Sequence, residues 1–154
     1  MPEFNIKSTS LEMALDIVKG FIEKAIGPTM EEIGLQLSDG IKMRRLRNQL
    51  NNLARAEQIA KEQNVKLSRI NLKALFPYLE GVALEEDCEL QEMWANLFVN
   101  YIDSNKNLTM HVFPGILGQL STNEVKMIAF MGNNGKRLKP GKWNLEIGDF
   151  PGQC

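Results

Sequence analysis

A single histidine, His111, is all this chain offers of the residue most used for proton shuttling and metal ligation, which excludes a two-histidine site within one subunit. Cysteine is nearly as scarce. Cys88 and Cys154 make neither a CxxC pair nor a disulfide framework for a domain of 154 residues, so a reducing compartment is expected. Long hydrophobic runs are missing too. The most apolar window, residues 11–26, is broken by Glu12, Asp16, Lys19, Glu23 and Lys24, and is too short and too charged to span a bilayer. The N-terminus lacks the basic flank and apolar stretch of a signal peptide, so a cytoplasmic protein without membrane insertion is expected. Nor does one sign of charge dominate. The net charge of −1 argues against wholesale attraction to nucleic acid or anionic membrane.

The composition, 44% hydrophobic and 24% charged, is that of one globular core. The small net charge hides strong blocks. Residues 1–41 carry −4, residues 42–73 carry +7, residues 74–103 carry −7 with no base at all, and residues 104–154 carry +3. Basic and acidic segments therefore follow one another along the chain.

The pattern is helical almost throughout, and the expected fold class is all-α. The architecture is an irregular helical bundle with a long central helix or a kinked helix pair, followed by a small C-terminal β-hairpin or a disordered tail. Residues 1–132 are expected to form the helical domain and residues 133–154 an extension. A first helix opens with a Thr9–Glu12 capping box and runs to about Ile26, burying Leu11, Leu15, Val18, Ile22, Ala25 and Ile26. From Pro28 to about Asn64 the apolar face changes sides. Met30, Ile33, Leu37 and Ile41 lie on one flank, and Met43, Leu46, Leu50, Leu53 and Ala60 on the other. A break at Ser38–Gly40 with Asp39 as N-cap explains the switch, as does one continuous helix between two layers.

Residues 64–71 read as a polar link. A stripe of Leu72, Leu75, Phe76, Leu79, Val82 and Ala83 follows, in which Pro77 either kinks a helix or begins one. The next helix runs from Asp87 to Ile102, with an acidic entry and an inward row of Leu90, Met93, Trp94, Leu97, Phe98 and Tyr101. Beyond His111 two short helices are expected, one with Pro114 in its first turn and one opened by a Ser121–Glu124 capping box. A hairpin or tail follows over residues 137–147, with Pro140-Gly141 in or near its turn.

Three stretches resemble the Abi-alpha family, bacterial and phage-related proteins associated by name with abortive infection. Residues 26–34, IGPTMEEIG, are similar to the family's "P-A-A-x-E-L-G" opening. Residues 75–97, with Glu80-Gly81 and the run from Glu85 to Leu97, are similar to its "LEGASLEEDEELQDLWANLL" centre. Residues 111–121 are similar to "HPSFVEILKQLS", although two residues part His111 from Pro114. The match runs in register from residue 26 to about residue 131, and residues 132–154 match nothing in the family. The resemblance implies a mostly helical fold and a role in phage exclusion, and it carries over no catalytic or ligand-binding residue.

No catalytic, cofactor or metal site is assigned. Glu85, Glu86, Asp87, Glu89 and Glu92 are read as residues favoured at a helix N-terminus rather than as ligands. Trp94 is read as core with an indole N–H in need of an acceptor, and His111 as a structural loop histidine. Cys88, among carboxylates, is a poor nucleophile. The surface that stands out is the side of the basic helix carrying Arg44, Arg45, Arg47, Asn48, Asn51, Asn52 and Arg55. It suits phosphate contacts, but a solvated face, or one neutralised by the acidic helix or a second subunit, is the favoured reading. Phe113–Met131 and the basic segment with Lys136, Arg137, Lys139 and Lys142 are arranged faintly like part of a winged helix, without a clear recognition helix.

The expected function is that of a non-enzymatic interaction protein in phage defence. Its partner would be another protein or a second copy, as a homodimer, with no cofactor. The alternative is a nucleic-acid-binding effector using the basic helix face. A hydrolytic toxin is disfavoured because no nucleophile, base and orienting group occur at usable spacing.

Overall fold

The computed structural model describes residues 11–27, 40–106, 108–134, 136–139 and 142–144. The chain divides into two compact units, residues 1–119 and residues 120–154. In the first unit are α1 (Leu11–Ala25), α2 (Gly40–Glu62), α3 (Leu72–Leu84), α4 (Cys88–Ile102) and the single turn α5 (Phe113–Leu117). The second holds α6 (Thr122–Asn134) and an antiparallel ribbon of β1 (Lys136–Lys139) and β2 (Lys142–Asn144). The all-α fold class is as expected, and the two short strands pair as in the hairpin alternative.

α2 is the hub of the first unit, packing against α1, α3 and α4. Its Leu46, Leu50, Leu53, Ala56, Ile59 and Ala60 are buried. Around it lie Val18, Phe21 and Ile22 of α1, Leu75, Tyr78 and Val82 of α3, and Trp94, Phe98, Val99 and Ile102 of α4. The Tyr78 ring bridges two others, edge-on to Trp94 at 5.9 Å and tilted over Phe98 at 4.8 Å. Such offset and edge contacts are the arrangements that aromatic quadrupoles favour.

The helix ends show why the chain breaks where it does. Gly27 closes α1 at φ +97°, a conformation open to glycine without strain. α2 ends in a Schellman motif. Asn64 adopts φ 50°, its N–H donates to Lys61 O, and the Val65 N–H donates to Ala60 O. The polar link of residues 64–71 is thus ordered. Ile70 N–H donates to Ala25 O at the end of α1, Ser68 N–H donates to Ile102 O, and Leu67 bridges Asp103 beside the end of α4. Asn71 then caps α3 by accepting from Lys73 N–H.

α3 begins at Leu72, so Pro77 lies inside it and leaves Lys73 O without its helical donor. The inward row also differs from expectation. Leu72 is 55% and Phe76 48% exposed, while Ala74 and Tyr78 are buried in their place. On α4 Met93 is exposed while Ala95, Val99 and Ile102 are buried, and on α2 Met43 is exposed. The second capping box forms as expected. Ser121 N–H and Oγ both donate to Glu124 Oε2 at 2.7 Å, and Glu124 N–H donates to Ser121 Oγ at 3.4 Å. The first box, the Asp39 cap and Met30, Ile33 and Leu37 of the apolar flank lie outside the described residues, while Ile41 falls in the first turn of α2.

Candidate functional site

Two concave surfaces flank α2. One is a polar cleft of about 540 Å³ between α2 and the α3–α4 turn, lined by Asn48, Asn51, Asn52, Arg55, Glu85, Glu86, Cys88, Gln91 and Glu92. Here the basic block of the sequence meets the acidic one.

The turn builds the far wall with its own carboxylates. Glu85 Oε1 accepts from the N–H groups of Glu86 and Asp87. Asp87 caps α4 by accepting from Glu89 and Leu90 N–H at 2.8 and 3.1 Å. The acidic run is therefore largely a device for starting a helix with only three residues between it and the end of another.

The end of α3 has carbonyls with no helical donor, and no glycine or basic side chain caps them. Amides from neighbouring helices take that role. Asn48 Nδ2 donates to Ala83 O and Glu85 O, and Gln91 Nε2 donates to Glu85 O and Val82 O. Asn52, only 2% exposed, donates through Nδ2 to Gln91 O at 2.7 Å and also to Gln91 Oε1. Its Oδ1 accepts from Tyr78 Oη at 2.6 Å. Burial pushes the Tyr78 phenol well above its ordinary range and keeps it a donor.

Arg55 closes the seam with two hydrogen bonds to Glu92, at 2.7 and 2.8 Å. Those bonds hold the Glu92 carboxyl below the usual range against an opposing effect of burial, and they raise the Arg55 guanidinium.

These positions correct the expected Arg and Asn face. Asn52 belongs to the interior, Asn48 to the end of α3, and Arg55 to Glu92. Arg44 stands 3.9 Å from Glu86 with both side chains about three-quarters exposed, a contact of little energy in water. Arg45 is exposed, and Arg47 is half-buried with an Nε that meets no acceptor among the described residues. The misplacement has a physical cause. α2 is covered by three helices, so a second buried sector, with Asn52 and Ile59, opens roughly 120° from Leu46 at 3.6 residues per turn.

Tyr78 and Gln91 went unnoticed in the sequence. The available signal was an α3 C-terminus with neither a glycine nor a basic side chain to cap it, which requires further donors from elsewhere.

The second surface is a groove of about 600 Å³ between α1 and the last turns of α2. Ile17, Gly20, Phe21 and Lys24 line it from one side, and Glu57, Ala60, Lys61, Asn64, Val65 and Leu67 from the other. Ile17 is 41% exposed, Met13 one turn earlier is exposed as well, and a Cβ placed on Gly20 would meet nothing within 4 Å. Among the described residues its ion pair, Lys61 with Glu57 at 2.7 Å, lies along α2 itself and leaves the space above Ile17, Val65 and Leu67 open.

Among the described residues no three His, Cys, Asp or Glu side chains gather as metal ligands, and His111 sits exposed before α5, away from both surfaces. Trp94 is fully buried with its Nε1 lacking a partner among the described residues, and its six-membered ring fills the notch above Gly81.

An all-α bundle with an internally bonded polar seam and an open apolar groove is the class of protein these features define. No described helix is long and apolar enough to cross a membrane. The chain belongs to the abortive infection alpha family, whose sequence model matches residues 24–143, and it is thus an abortive-infection-related protein. The match reaches past Met131 and through Trp143, so the ribbon, which the resemblance in the sequence left out, lies mostly within the family region. Nothing among curated proteins or solved structures matches the chain significantly.

Proposed function

We propose that the chain serves abortive infection as a non-enzymatic protein that binds a macromolecular partner, a protein or a second copy of itself, in the groove between α1 and α2. The observation that carries this reading is the contrast between the two concave surfaces. In the polar cleft the side chains are bonded mainly within the fold, whereas the groove presents Ile17, Val65 and Leu67 with space above them. Apolar area of that kind gains free energy when it is covered.

The alternative, nucleic acid on the basic face of α2, is left with Arg44, Arg45 and Arg47. Arg55, Asn48 and Asn52 are engaged within the fold. The absence of an aromatic among those arginines further favours the groove.

Ile17→Asp tests the proposal, since it charges the groove at a side chain already partly in water. Cells expressing the chain are challenged with a panel of phages, and sedimentation velocity at micromolar concentration follows self-association. The variant is expected to lose protection while keeping its helical circular dichroism. Full protection by Ile17→Asp, with loss on changing Asn51 or Glu86 in the polar cleft, would overturn the reading in favour of chemistry there. A monomeric wild-type chain with intact protection would leave a protein partner and remove the self-associated form.

A further inference from the structure

Toward the C-terminal end of α4 lies a third hollow, of about 430 Å³, which shares no lining residue with the two surfaces beside α2. Its walls are Leu97 and Asn100 of α4, Lys106 and Leu108 of the following loop, and Phe113 of α5. The volume suits a small molecule. Leu97, Leu108 and Phe113 are each half-buried, so the apolar side of the hollow still reaches water.

The polar side is built by the turn that ends α4. Asp103 Oδ1 accepts from Asn105 N–H at 2.9 Å, and Lys106 N–H donates to Asp103 O at 3.1 Å. Farther along, the buried Tyr101 ties the loop back by donating from Oη to Met110 O. Lys106 is thereby placed beside Asn100, and its Nζ donates to Asn100 Oδ1 at 2.6 Å. That bond leaves donors only. Asn100 Nδ2 has no acceptor among the described residues, and Lys106 enters none of the ion pairs formed among them. An ammonium with hydrogens to spare and an amide NH₂ next to it call for a group that accepts and does not donate, which an ionised carboxylate is. No acid lines the hollow to fill that place.

We infer that this hollow binds a small aliphatic carboxylate, its chain between Leu97, Leu108 and Phe113 and its carboxylate accepting from Lys106 Nζ and Asn100 Nδ2. The inference goes beyond the α1–α2 groove, and neither depends on the other. Its rival is that the Lys106–Asn100 bond only fastens the turn to α4.

The test titrates hexanoate, octanoate and decanoate into the full chain by calorimetry, with decan-1-ol and decylamine for comparison, and locates binding by backbone amide shifts. Affinity is expected to rise about fourfold for each methylene buried. Decanoate binds more tightly than decan-1-ol, and decylamine most weakly, with the shifts centred on Leu97, Leu108 and Phe113. Lys106→Glu costs decanoate about fivefold, the upper range for an exposed ion pair, and leaves decan-1-ol unchanged. Leu108→Asn weakens both. Ile17→Asp, in the other groove, alters neither.

The inference is overturned by the absence of saturable decanoate binding, by decylamine binding as tightly as decanoate, or by affinities that do not change with chain length. Shifts confined to the α1–α2 groove, or a decanoate affinity unaltered in Lys106→Glu, overturn it as well. Should a variant fail to fold, the contrast between decanoate and decylamine in the wild-type chain decides.

Discussion

α2 has two kinds of neighbour. Toward α3 and α4 its polar side chains are bonded across the seam: Asn48 to Ala83 and Glu85, Gln49 to Leu79, Asn52 to Gln91 and Tyr78, Arg55 to Glu92. Toward α1, the end of the same helix borders a groove in which its charged pair, Glu57 and Lys61, is satisfied along the helix and the space above Ile17, Val65 and Leu67 is open. The difference teaches where to look for function when no metal-ligand cluster gathers among the described residues. Polar residues gathered in a cleft suggest a binding site, yet here they hold helices in register. The groove along α1, with Ile17 partly in water, is where a partner would gain apolar contact.

The sharpest way to break this comparison is Asn52→Ala. It leaves the buried Tyr78 hydroxyl without its acceptor and removes the donor to Gln91 O and Oε1. Buried polar groups left unpaired cost about 1–3 kcal/mol each, so a loss of about 3 kcal/mol and a fall in Tm of about 6–12 °C are expected. Tyr78→Phe in the same chain should recover part of it, because the stranded hydroxyl is then gone. Additive losses in urea melts would show that the seam is not a coupled network.

Gly81→Ala comes next. An added Cβ would lie 2.3 Å from Trp94 Cη2 and 2.6 Å from Cζ2, inside a ring that is fully buried. Something must shift, and overpacking of this kind costs about 1–3 kcal/mol. The expected reading is a loss of about 2 kcal/mol with a changed near-ultraviolet signal from Trp94. An unchanged melt would mean that α3 and α4 slide past each other freely, and the seam would then be no lock.

These two residues also show what the sequence could and could not display. The acidic entry of α4 was legible because Asp87 and its targets, Glu89 and Leu90 N–H, are neighbours in the chain. The Ser121–Glu124 box was legible for the same reason. Trp94 and Phe98 were recognisable as core from their spacing. Asn48 and Asn52 were not, because their partners lie 26 to 39 positions away, and a helical wheel shows one apolar face where α2 has two buried sectors. Leu72 and Phe76 failed for a related reason. They continue the row of Leu75 and Leu79 on the wheel, yet the neighbours of α3 cover the side with Ala74 and Tyr78 instead. Gly81 stood in the recognised block, but only the position of the Trp94 ring explains it.

On the groove side the comparison predicts the opposite sign. Gly20 is inside α1, has an ordinary helical environment and faces open space, so Gly20→Ala should stabilise the isolated chain by up to about 1 kcal/mol through helix propensity alone. If the groove is a binding surface, the added methyl narrows it, and protection against phage falls as Tm rises. A variant that is both more stable and fully protective would remove Gly20 from the contact.

The smallest expected effect is electrostatic and marks the rim of the seam. The Arg55 and Glu92 side chains are 38% and 44% exposed, so solvent screening keeps their contribution below about 1 kcal/mol. Glu92 titrates in the folded chain below its ordinary carboxyl value because Arg55 donates to its charged form. A group with a lowered folded pKa stabilises fully above its unfolded pKa, and the contribution disappears as pH falls through the folded one. Glu92→Gln should therefore lower the urea midpoint at neutral pH, and the gap from wild type should close under acid, once Glu92 in the wild type is itself protonated. A gap that persisted there would mean that the glutamate acts through packing rather than charge. The seam would then be held by the amides of Asn48, Asn52 and Gln91 alone, with Arg55 free to meet an outside anion.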